Sequence, residues 1–344
     1  MTSRLLLCWA LVVVLNGLWS VPPVRAEGMG LVTGSPAGTY IQFGQDIARV
    51  AREVGLELDV KESEGSLDNI RRLVSRENAA LGIVQSDVLG FLSRSADAHV
   101  RRIAARLRLI FPFYNEEVHL FARKQIRRVE DLAGVRVVVG TEGSGNWLTS
   151  NNLLRLVNVT PAQRLELPPP EAVSAVLKGE AEAMFYVAGK PVKLFTAVGE
   201  LQKDPQYASL VQGVHFVPLE QETMLREYEA STISPSDYAW LEDHVPTVAV
   251  KAALISFDFS GRSNAYAQQR CAQLARLGQV LREHFAELQH TGHPKWREVN
   301  LDQEIGIWKR DTCAQPARPR RPLHTEDDLL RAISEILKGK GQGR

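Results

Sequence analysis

Apolar and polar positions follow two alternating periods along the first third of the chain. Residues 30–33 start as a short strand, residues 40–54 carry apolar side chains at helical spacing, and residues 56–60 alternate as a strand does. Residues 67–74 carry a second helical stripe, and residues 79–84 form an apolar run. Strand, loop and helix repeated in this way predict a parallel sheet with helices on both faces.

The pattern changes in the middle of the chain. Residues 103–113 and 118–123 predict two successive strands, with the polar residues 114–117 between them. A second series of strands and helices follows, and it ends with a long helix. Its predicted strands are residues 135–139, 183–186, 214–217 and 247–257, and its predicted helices are residues 147–157, 171–178 and 264–288.

The two series predict the fold class α/β with two lobes, each a mostly parallel sheet flanked by helices. We assign residues 27–116 to the first part of lobe I, residues 117–217 to lobe II, and residues 218–315 to the rest of lobe I with its C-terminal helices. Strands near residues 118–121 and 214–217 are expected to join the lobes as a hinge. Because ligands of open α/β sheets bind beyond the carboxyl ends of the strands, both lobes are expected to line one cleft that closes about the hinge.

Four loops follow predicted strands and are expected to meet at this cleft. They contain glycines, which let backbone N–H groups approach a ligand closely, together with hydroxyl and amide side chains. The candidate ligand-binding residues are Ser35, Gly38, Thr39 and Tyr40 in the first loop, Ser66 and Asn69 in the second, Gln85 and Ser86 in the third, and Gly143, Ser144, Gly145 and Asn146 in the fourth, with Tyr186 and Gly189 after a later strand.

Each candidate also has an interpretation without a ligand. The loop at residues 33–40 is compatible with a tight strand-to-helix turn, Ser66 is expected to cap a helix in any case, and Phe185 is as compatible with core packing. Lys190 is expected to be solvated.

A glycine loop before a helix occurs twice, at residues 33–40 and 141–146, and two helix N-termini facing one cleft favour a ligand carboxylate over a cation.

The N-terminal residues 1–26 have the pattern of a secretory signal peptide. Arg4 precedes an apolar run at residues 5–19, and Ala26 ends a segment that a signal peptidase recognises, so we expect cleavage before Glu27 and a periplasmic location. An uncleaved membrane anchor is the alternative, although the run is shorter than the ~20 residues that a spanning helix needs.

Charge and cysteine content exclude further classes. Removal of Arg4 and Arg25 with the signal lowers the formal charge from +1 to −1. A chain without excess positive charge is not expected to bind nucleic acid. Cys271 and Cys313 remain after export, and an even pair in that compartment predicts one structural disulfide; two buried free thiols are the alternative.

Motifs for catalysis are missing from the sequence. Glu142 replaces the first glycine of a nucleophile elbow around Ser144, and neither a phosphate-binding loop with Gly-Lys-Ser/Thr nor a His-Glu-x-x-His motif occurs. His290 and His293 are close enough to chelate a metal, but no acid or cysteine completes a set. We therefore expect no catalytic residue, no metal and no cofactor.

Six motifs together resemble the TAXI family of solute-binding proteins of TRAP transporters. In the family's order they are TGSPAGTY at residues 33–40, EGSLDNIRRL at 64–73, LGIVQSD at 81–87, GSGN at 143–146, FYVAGKP at 185–191 and VPTVAV at 245–250. The resemblance extends to about Asp311 and adds Thr247 to the candidate ligand-binding residues. It implies a two-lobed periplasmic-binding fold, and delivery of an amino acid or organic acid, such as glutamate or 2-oxoglutarate, to a membrane permease driven by an ion gradient.

The sequence thus predicts an exported, monomeric binding protein for a small anionic or zwitterionic solute, glutamate-like or dicarboxylate-like, with a TRAP permease subunit as its partner and no nucleic acid. One alternative is a binding module that presents the solute to a membrane sensor. A second is an extracytoplasmic enzyme that depends on Ser144 or His244. Residues 316–344 are a tail rich in Pro and Arg, in which residues 327–337 predict a short helix.

Overall fold

A computed structural model describes residues 28–36, 38–75 and 79–315 of the chain. The predicted signal peptide, its cleavage site and the tail at residues 316–344 lie outside the described residues. Within the described ranges, no helix combines the length and the apolar character needed to cross a membrane.

Ten strands and eleven α-helices alternate along the described chain. The strands are β1 Met29–Val32, β2 Leu58–Lys61, β3 Leu81–Gln85, β4 Leu107–Arg123, β5 Arg136–Val138, β6 Gln163–Leu165, β7 Ala183–Ala188, β8 Val214–Phe216, β9 Glu229–Ile233 and β10 Val245–Phe257. The helices are α1 Thr39–Glu53, α2 Ser66–Ser75, α3 Val88–Ser93, α4 Ala98–Arg106, α5 Gly145–Leu156, α6 Pro169–Lys178, α7 Lys193–Leu201, α8 Ala208–Gln212, α9 Glu222–Leu225, α10 Ala265–Glu283 and α11 Phe285–Thr291, with two 3-10 helices at Val129–Leu132 and Pro294–Glu298.

All ten strands belong to one continuous sheet, in which eight follow the order β2-β1-β3-β10-β4-β7-β5-β6. In lobe I, β1 pairs in parallel with β2 and β3, and in lobe II, β5 pairs in parallel with β6 and β7. The antiparallel strands β4 and β10 connect the two parallel parts. Helices cover both faces, so the inner parallel strands β1 and β3 are buried throughout, while the edge strands β2 and β6 are partly exposed.

Each lobe has its own apolar cores, one on either face of its part of the sheet. The two cores of lobe I are centred on Phe43 with Trp296, and on Leu73 with Trp308. The two cores of lobe II contain Leu153 with Phe185, and Phe195 with Tyr238. Residues 224–238, which the sequence assigned to lobe I, therefore pack in lobe II. The α/β fold with two lobes, predicted from the alternation of strand and helix, is confirmed.

The connection between the lobes differs from the prediction in two ways. Residues 107–123 form one 17-residue strand, β4, where two strands were predicted, and residue 103 lies in α4. The polar residues 114–117, which were predicted to separate two strands, continue one strand, because β10 pairs with it from Glu117 back to Leu107.

The second crossing strand is β10 and not the predicted strand near residues 214–217. That segment, β8, pairs only with the end of β4 inside lobe II, where Phe216 lies opposite Phe121. A three-residue strand at the far end of β4 is too short to reach the other lobe. The hinge therefore consists of β4 and β10.

A covalent link joins the C-terminal helices to the segment that follows them. The predicted helix at residues 264–288 is divided at His284 into α10 and α11. The predicted disulfide between Cys271 and Cys313 is confirmed, and it joins α10 to the end of the described chain across 42 residues of sequence. A link across a loop of this length stabilises the fold mainly by restricting the unfolded chain.

Candidate functional site

The loops at the carboxyl ends of the parallel strands meet between the lobes. The backbone N–H of Gln85, at the end of β3, donates to Ser66 Oγ at 3.0 Å, and Gln85 Oε1 lies 3.2 Å from Thr149 Oγ1. Gly145, at the start of α5, packs against both side chains: a Cβ on Gly145 would overlap Gln85 and would lie 2.7 Å from Ser66 Oγ. Lobe I contributes Ser66 and Gln85, and lobe II contributes Gly145 and Thr149, so these residues close the space between the lobes.

The fourth loop also makes backbone contacts with the opposite lobe. The carbonyl of Gly143 accepts from the N–H groups of Leu67 and Asp68, at 3.1 and 3.3 Å, in the first turn of α2. The first N–H groups of a helix have no partner within the helix, and here another lobe supplies one. Gly143 has a φ of +87°, a left-handed conformation that favours glycine. The fourth loop thus caps a helix of lobe I.

Two asparagines hold the loops in matching ways. Asn69 Nδ2 donates to the carbonyls of Thr33 and Ile83, at 2.7 and 2.6 Å, and so joins the ends of β1 and β3. Asn146 Nδ2 donates to the carbonyls of Val139 and Phe185, at 3.4 and 3.1 Å, and so joins the ends of β5 and β7. Both side-chain amide donors are therefore committed to the backbone of their own lobe.

A glutamate that was not among the predicted site residues lies at the centre of the cleft. Tyr40 Oη donates to Glu116 Oε2 at 2.7 Å, and Glu116, on the hinge strand β4, is almost fully buried. Burial raises the pKa of the Glu116 carboxyl from 4.5 to about 8; hydrogen bonds from Tyr40 and Gln85 oppose the rise, and the negative charges of Glu117 and Asp87 add to it. The centre of the cleft therefore contains an acidic group that is mostly protonated near neutral pH.

The space beside Glu116 is lined by aromatic side chains. Tyr114 is fully buried on β4, and its hydroxyl has no hydrogen-bond partner among the described residues. A Cβ on Gly189 would lie 3.1 Å from the Tyr114 ring, so this glycine lets β7 approach the ring closely. Burial and then the charge of Glu116 raise the pKa of the Tyr186 hydroxyl. Tyr114 thus lies beside the carboxyl group, whereas Tyr186 lies opposite His119, on the face of the sheet that carries Glu117.

A second buried acid, Glu117, lies on the opposite face of β4. Its carboxylate accepts from the N–H of Lys190 at 3.2 Å and from Ser231 Oγ at 3.3 Å. The side chain of Lys190 pairs with Asp237 at 2.9 Å, and so it is not the solvated lysine that the sequence predicted. Glu117 and Lys190 are held by protein partners.

Several predicted ligand-binding residues have structural partners in this conformation. Ser144 caps α5 by accepting from the N–H of Trp147 at 3.1 Å, and Ser86 Oγ accepts from the N–H of Lys251 at 3.1 Å. Thr247 donates to a backbone carbonyl of β4. Ser35 is exposed, and its carbonyl accepts from Gly38 in a turn.

The predicted site residues therefore separate into two groups. Tyr40, Ser66, Gln85 and Gly145 come together around Glu116, with Gly189 next to Tyr114, while Tyr186 lies on the opposite face of the sheet. The residues whose polar groups bond to the scaffold are Asn69, Ser86, Ser144, Asn146 and Thr247. Thr39 begins α1 next to Tyr40, and Gly143 connects the lobes.

Three residues of the cleft were missed by sequence reasoning, namely Tyr114, Glu116 and Thr149. The signal for the first two was present: polar residues 114–117 interrupt a long run of strand-forming residues. Such residues predict a turn, but in a strand that crosses between two lobes they face the cleft. Thr149 lies one turn into α5, and the residues around it in sequence give no sign that it faces the cleft.

One cluster outside the cleft has metal-ligand chemistry. Glu53, His284 and Glu287 bring one carboxylate or ring nitrogen each to within 4.8 Å of one another, and this is the one such group in the described ranges. Arg49 pairs with both glutamates. The cluster is therefore satisfied as a partly exposed ion-pair network that joins α1 to α11.

Similarity to solved structures is broad in coverage and low in identity. MatC from Rhodopseudomonas palustris with bound malate is 14% identical, with 92% of this chain and 97% of that chain covered and a TM-score of 0.43. The GluR0 ligand-binding core in complex with L-glutamate is 12% identical, with 79% and 98% covered and a TM-score of 0.42. The periplasmic aliphatic sulphonate binding protein SsuA from Escherichia coli is 16% identical, with 77% and 78% covered and a TM-score of 0.38.

Sequence similarity gives the family. No curated protein matches the chain. The sequence profile of the NMT1-like family matches residues 31–267, which include both hinge strands, all four loops and most of both lobes. The chain therefore belongs to the NMT1-like family.

Proposed function

We propose that this protein is an extracytoplasmic solute-binding protein of the TAXI type, which captures an amino acid between its lobes and delivers it to a TRAP permease. The observation that carries the proposal is the convergence of loops from both lobes on the buried carboxyl group of Glu116. A cleft lined by both halves of a two-lobed fold can close around a small solute. The six motifs shared with the TAXI family support the permease as partner. The function proposed is binding and not catalysis.

The charges of the cleft favour a zwitterion over a dicarboxylate. Gly38 precedes α1 and has no side chain to cap it, so the first N–H groups of α1 are available to a carboxylate. The buried hydroxyl of Tyr114 is a further donor. Glu116 holds a proton near neutral pH because its pKa is raised to about 8, and an ammonium group beside it favours the ionised form, which in turn repels a second carboxylate. An α-amino acid supplies one carboxylate and one ammonium.

Thermal shift on ligand-stripped protein tests the proposal. We expect L-amino acids to raise the melting temperature and C4–C6 dicarboxylates without an amino group to raise it less. Glu116→Gln is expected to reduce the amino-acid shift, whereas Glu171→Gln, which removes an exposed carboxylate on α6, leaves it unchanged. If no compound in either set raises the melting temperature, the assignment as a solute-binding protein is wrong.

The partner needs a separate test. Cells that express the chain together with a neighbouring multi-span permease are expected to take up the labelled ligand, and cells with Gly145→Ala in the chain are expected to take up less. Ligand binding without uptake, together with a sensor kinase gene as neighbour, would instead favour presentation to a sensor.

A further inference from the structure

A second cavity between the lobes lies where β10 changes its pairing partner. β10 pairs with β9 over Val245–Ala249 and with β3 over Ala252–Ile255, and between these two partners the backbone of Lys251 bonds to Ser86 and not to a strand. A cavity of about 530 Å³ lies at this position. We call it the notch; its walls include Asp87 and Arg94 of lobe I, Arg226 and Tyr228 of lobe II, and Lys251 and Trp308 beside the hinge.

The notch is distinct from the cleft around Glu116. Lys251 lies opposite Asn115 in the register of β10 and β4, whereas Glu116 lies opposite Val250. Successive side chains of a strand point to opposite faces, so Lys251 and Glu116 face different spaces. Of the residues predicted to bind the ligand, only Ser86 lines the notch. The volume is within the usual range for small-molecule sites.

An acid in the notch has an unused acceptor. Asp87 Oδ2 accepts from Thr149 Oγ1 at 2.8 Å and from Tyr228 Oη at 2.9 Å. Asp87 Oδ1 is buried and has no hydrogen-bond partner in the part of the chain that the structure describes. A buried carboxylate oxygen without a donor is destabilising, and a ligand N–H would supply the missing hydrogen bond.

Basic side chains also line the notch. The side chain of Lys251 is only 8% exposed, and its ammonium group is 3.7 Å from Glu229, beyond hydrogen-bond distance. The guanidinium of Arg94 lies 3.5 Å from Glu227. A ligand carboxylate near Lys251 and Arg94 would therefore replace long ion pairs with shorter ones.

We propose that the notch is a second solute site, which takes a small zwitterion whose ammonium group donates to Asp87 Oδ1 and whose carboxylate faces Lys251 and Arg94. Its walls belong to both lobes, and so a ligand there binds only one relative position of the lobes well. A ligand in the notch that prefers the closed form tightens binding at the Glu116 cleft. By thermodynamic linkage, a ligand in the cleft then tightens binding at the notch by the same factor.

Unbranched ω-amino acids of four to eight carbons are suitable probes, since their two charges are separated by a variable length. Binding is located by hydrogen–deuterium exchange at residues 226–229 and 305–308, and affinity is measured by calorimetry. We expect at least one length to protect both segments, and Asp87→Asn and Lys251→Met each to weaken its affinity about tenfold or more. Lys203→Met, which removes an exposed lysine on lobe II, is the matched control and leaves the affinity unchanged.

Alkanoates and alkylammonium ions of the same lengths test the need for both charges. Equal protection by a probe with a single charge would overturn the proposal, as would the absence of protection at every length. Glu116→Gln separates the two sites: loss of ω-amino acid binding in this variant, with binding retained in Asp87→Asn and Lys251→Met, would place the probe in the cleft and not in the notch. If Asp87→Asn fails to fold, the same comparison with Lys251→Met decides between the two sites.

Discussion

The two glycine loops that open helices α1 and α5 look alike in sequence but make different contacts. At the first loop, Gly38 precedes α1 and offers no side-chain cap. At the fourth loop, Ser144 caps α5, and the carbonyl of Gly143 caps α2 of the other lobe. The first loop thus leaves donors for a ligand, while the fourth holds the lobes together. Glycine content alone does not distinguish an anion site from a contact between lobes.

The largest expected effect is that of a methyl group at the fourth loop. Gly145→Ala places a Cβ against Gln85 and Ser66 of the opposite lobe, so full closure requires these side chains to move. We expect ligand affinity to fall about 100-fold, near the upper end of the 1–3 kcal/mol typical of overpacking, as measured by calorimetry.

The first loop supplies the control for that substitution. A Cβ at Gly38 lies 3.2 Å from Ser35, within the same loop, and meets no residue of lobe II. Gly38→Ala is therefore expected to weaken binding much less than Gly145→Ala. Equal losses in the two variants would mean that both loops have the same role.

The asparagines that hold the two loops are expected to contribute unequally to the free energy of unfolding. Asn69→Ala removes bonds of 2.7 and 2.6 Å and leaves two buried carbonyls short of a donor, which costs about 1–3 kcal/mol of unfolding free energy. Asn146→Ala removes longer bonds, of 3.4 and 3.1 Å, and is expected to cost less. Chemical denaturation of both variants measures the two losses of unfolding free energy. A larger loss for Asn146→Ala than for Asn69→Ala would contradict the prediction.

The pH dependence of binding tests whether the ligand carries a cation. Because the pKa of Glu116 is raised to about 8, the folded protein holds a proton that the unfolded chain has already lost, and stability without ligand falls as pH rises from 4.5 toward 8. An ammonium ligand favours the ionised carboxylate, so its affinity rises over the same window, by at most about tenfold per pH unit.

Calorimetry between about pH 6.5 and pH 8 measures this slope in a range where Asp87, whose pKa burial raises to about 6, is already mostly ionised. Glu116→Gln is expected to remove the slope. Affinity that falls with rising pH in the wild type would instead indicate a ligand without a cation, such as a dicarboxylate.

The smallest expected effect concerns the caps of the two helices. Ser144→Ala removes the bond from Trp147 and is expected to cost about 1 kcal/mol of stability. Gly38→Ser adds a side-chain cap to α1 and is expected to change stability by only a few tenths of a kcal/mol. Thermal unfolding of the two variants measures both. A stability loss in Gly38→Ser comparable to that of Ser144→Ala would show that the first loop does not tolerate a side chain.

The order of strands and helices was predictable because it depends on local periodicity. Period-2 and period-3.6 patterns located most elements of both lobes to within a few residues, as at β7 and α6. Boundaries failed where a polar residue occurs inside an element: residues 114–117 are part of β4, and His284 divides the last long helix. Local pattern does not show whether a polar side chain faces solvent or a cleft.

The candidate site was predictable only in part. The four loops and the residues Tyr40, Ser66, Gln85 and Gly145 follow from the rule that loops after parallel strands meet at one edge. Whether a polar group in those loops is free for a ligand depends on partners far away in sequence, such as Phe185 for Asn146 or Val118 for Thr247.

The sequence by itself determined that this chain forms two α/β lobes with glycine loops between them and one disulfide, since these follow from periodicity, residue type and cysteine count. Only the tertiary structure decided that the second hinge strand is β10, that the fourth loop caps a helix of the other lobe, and that Glu116 places an acidic group at the centre of the cleft. The physical reason is that strand pairing, helix capping and desolvation each depend on which distant residues the fold brings together.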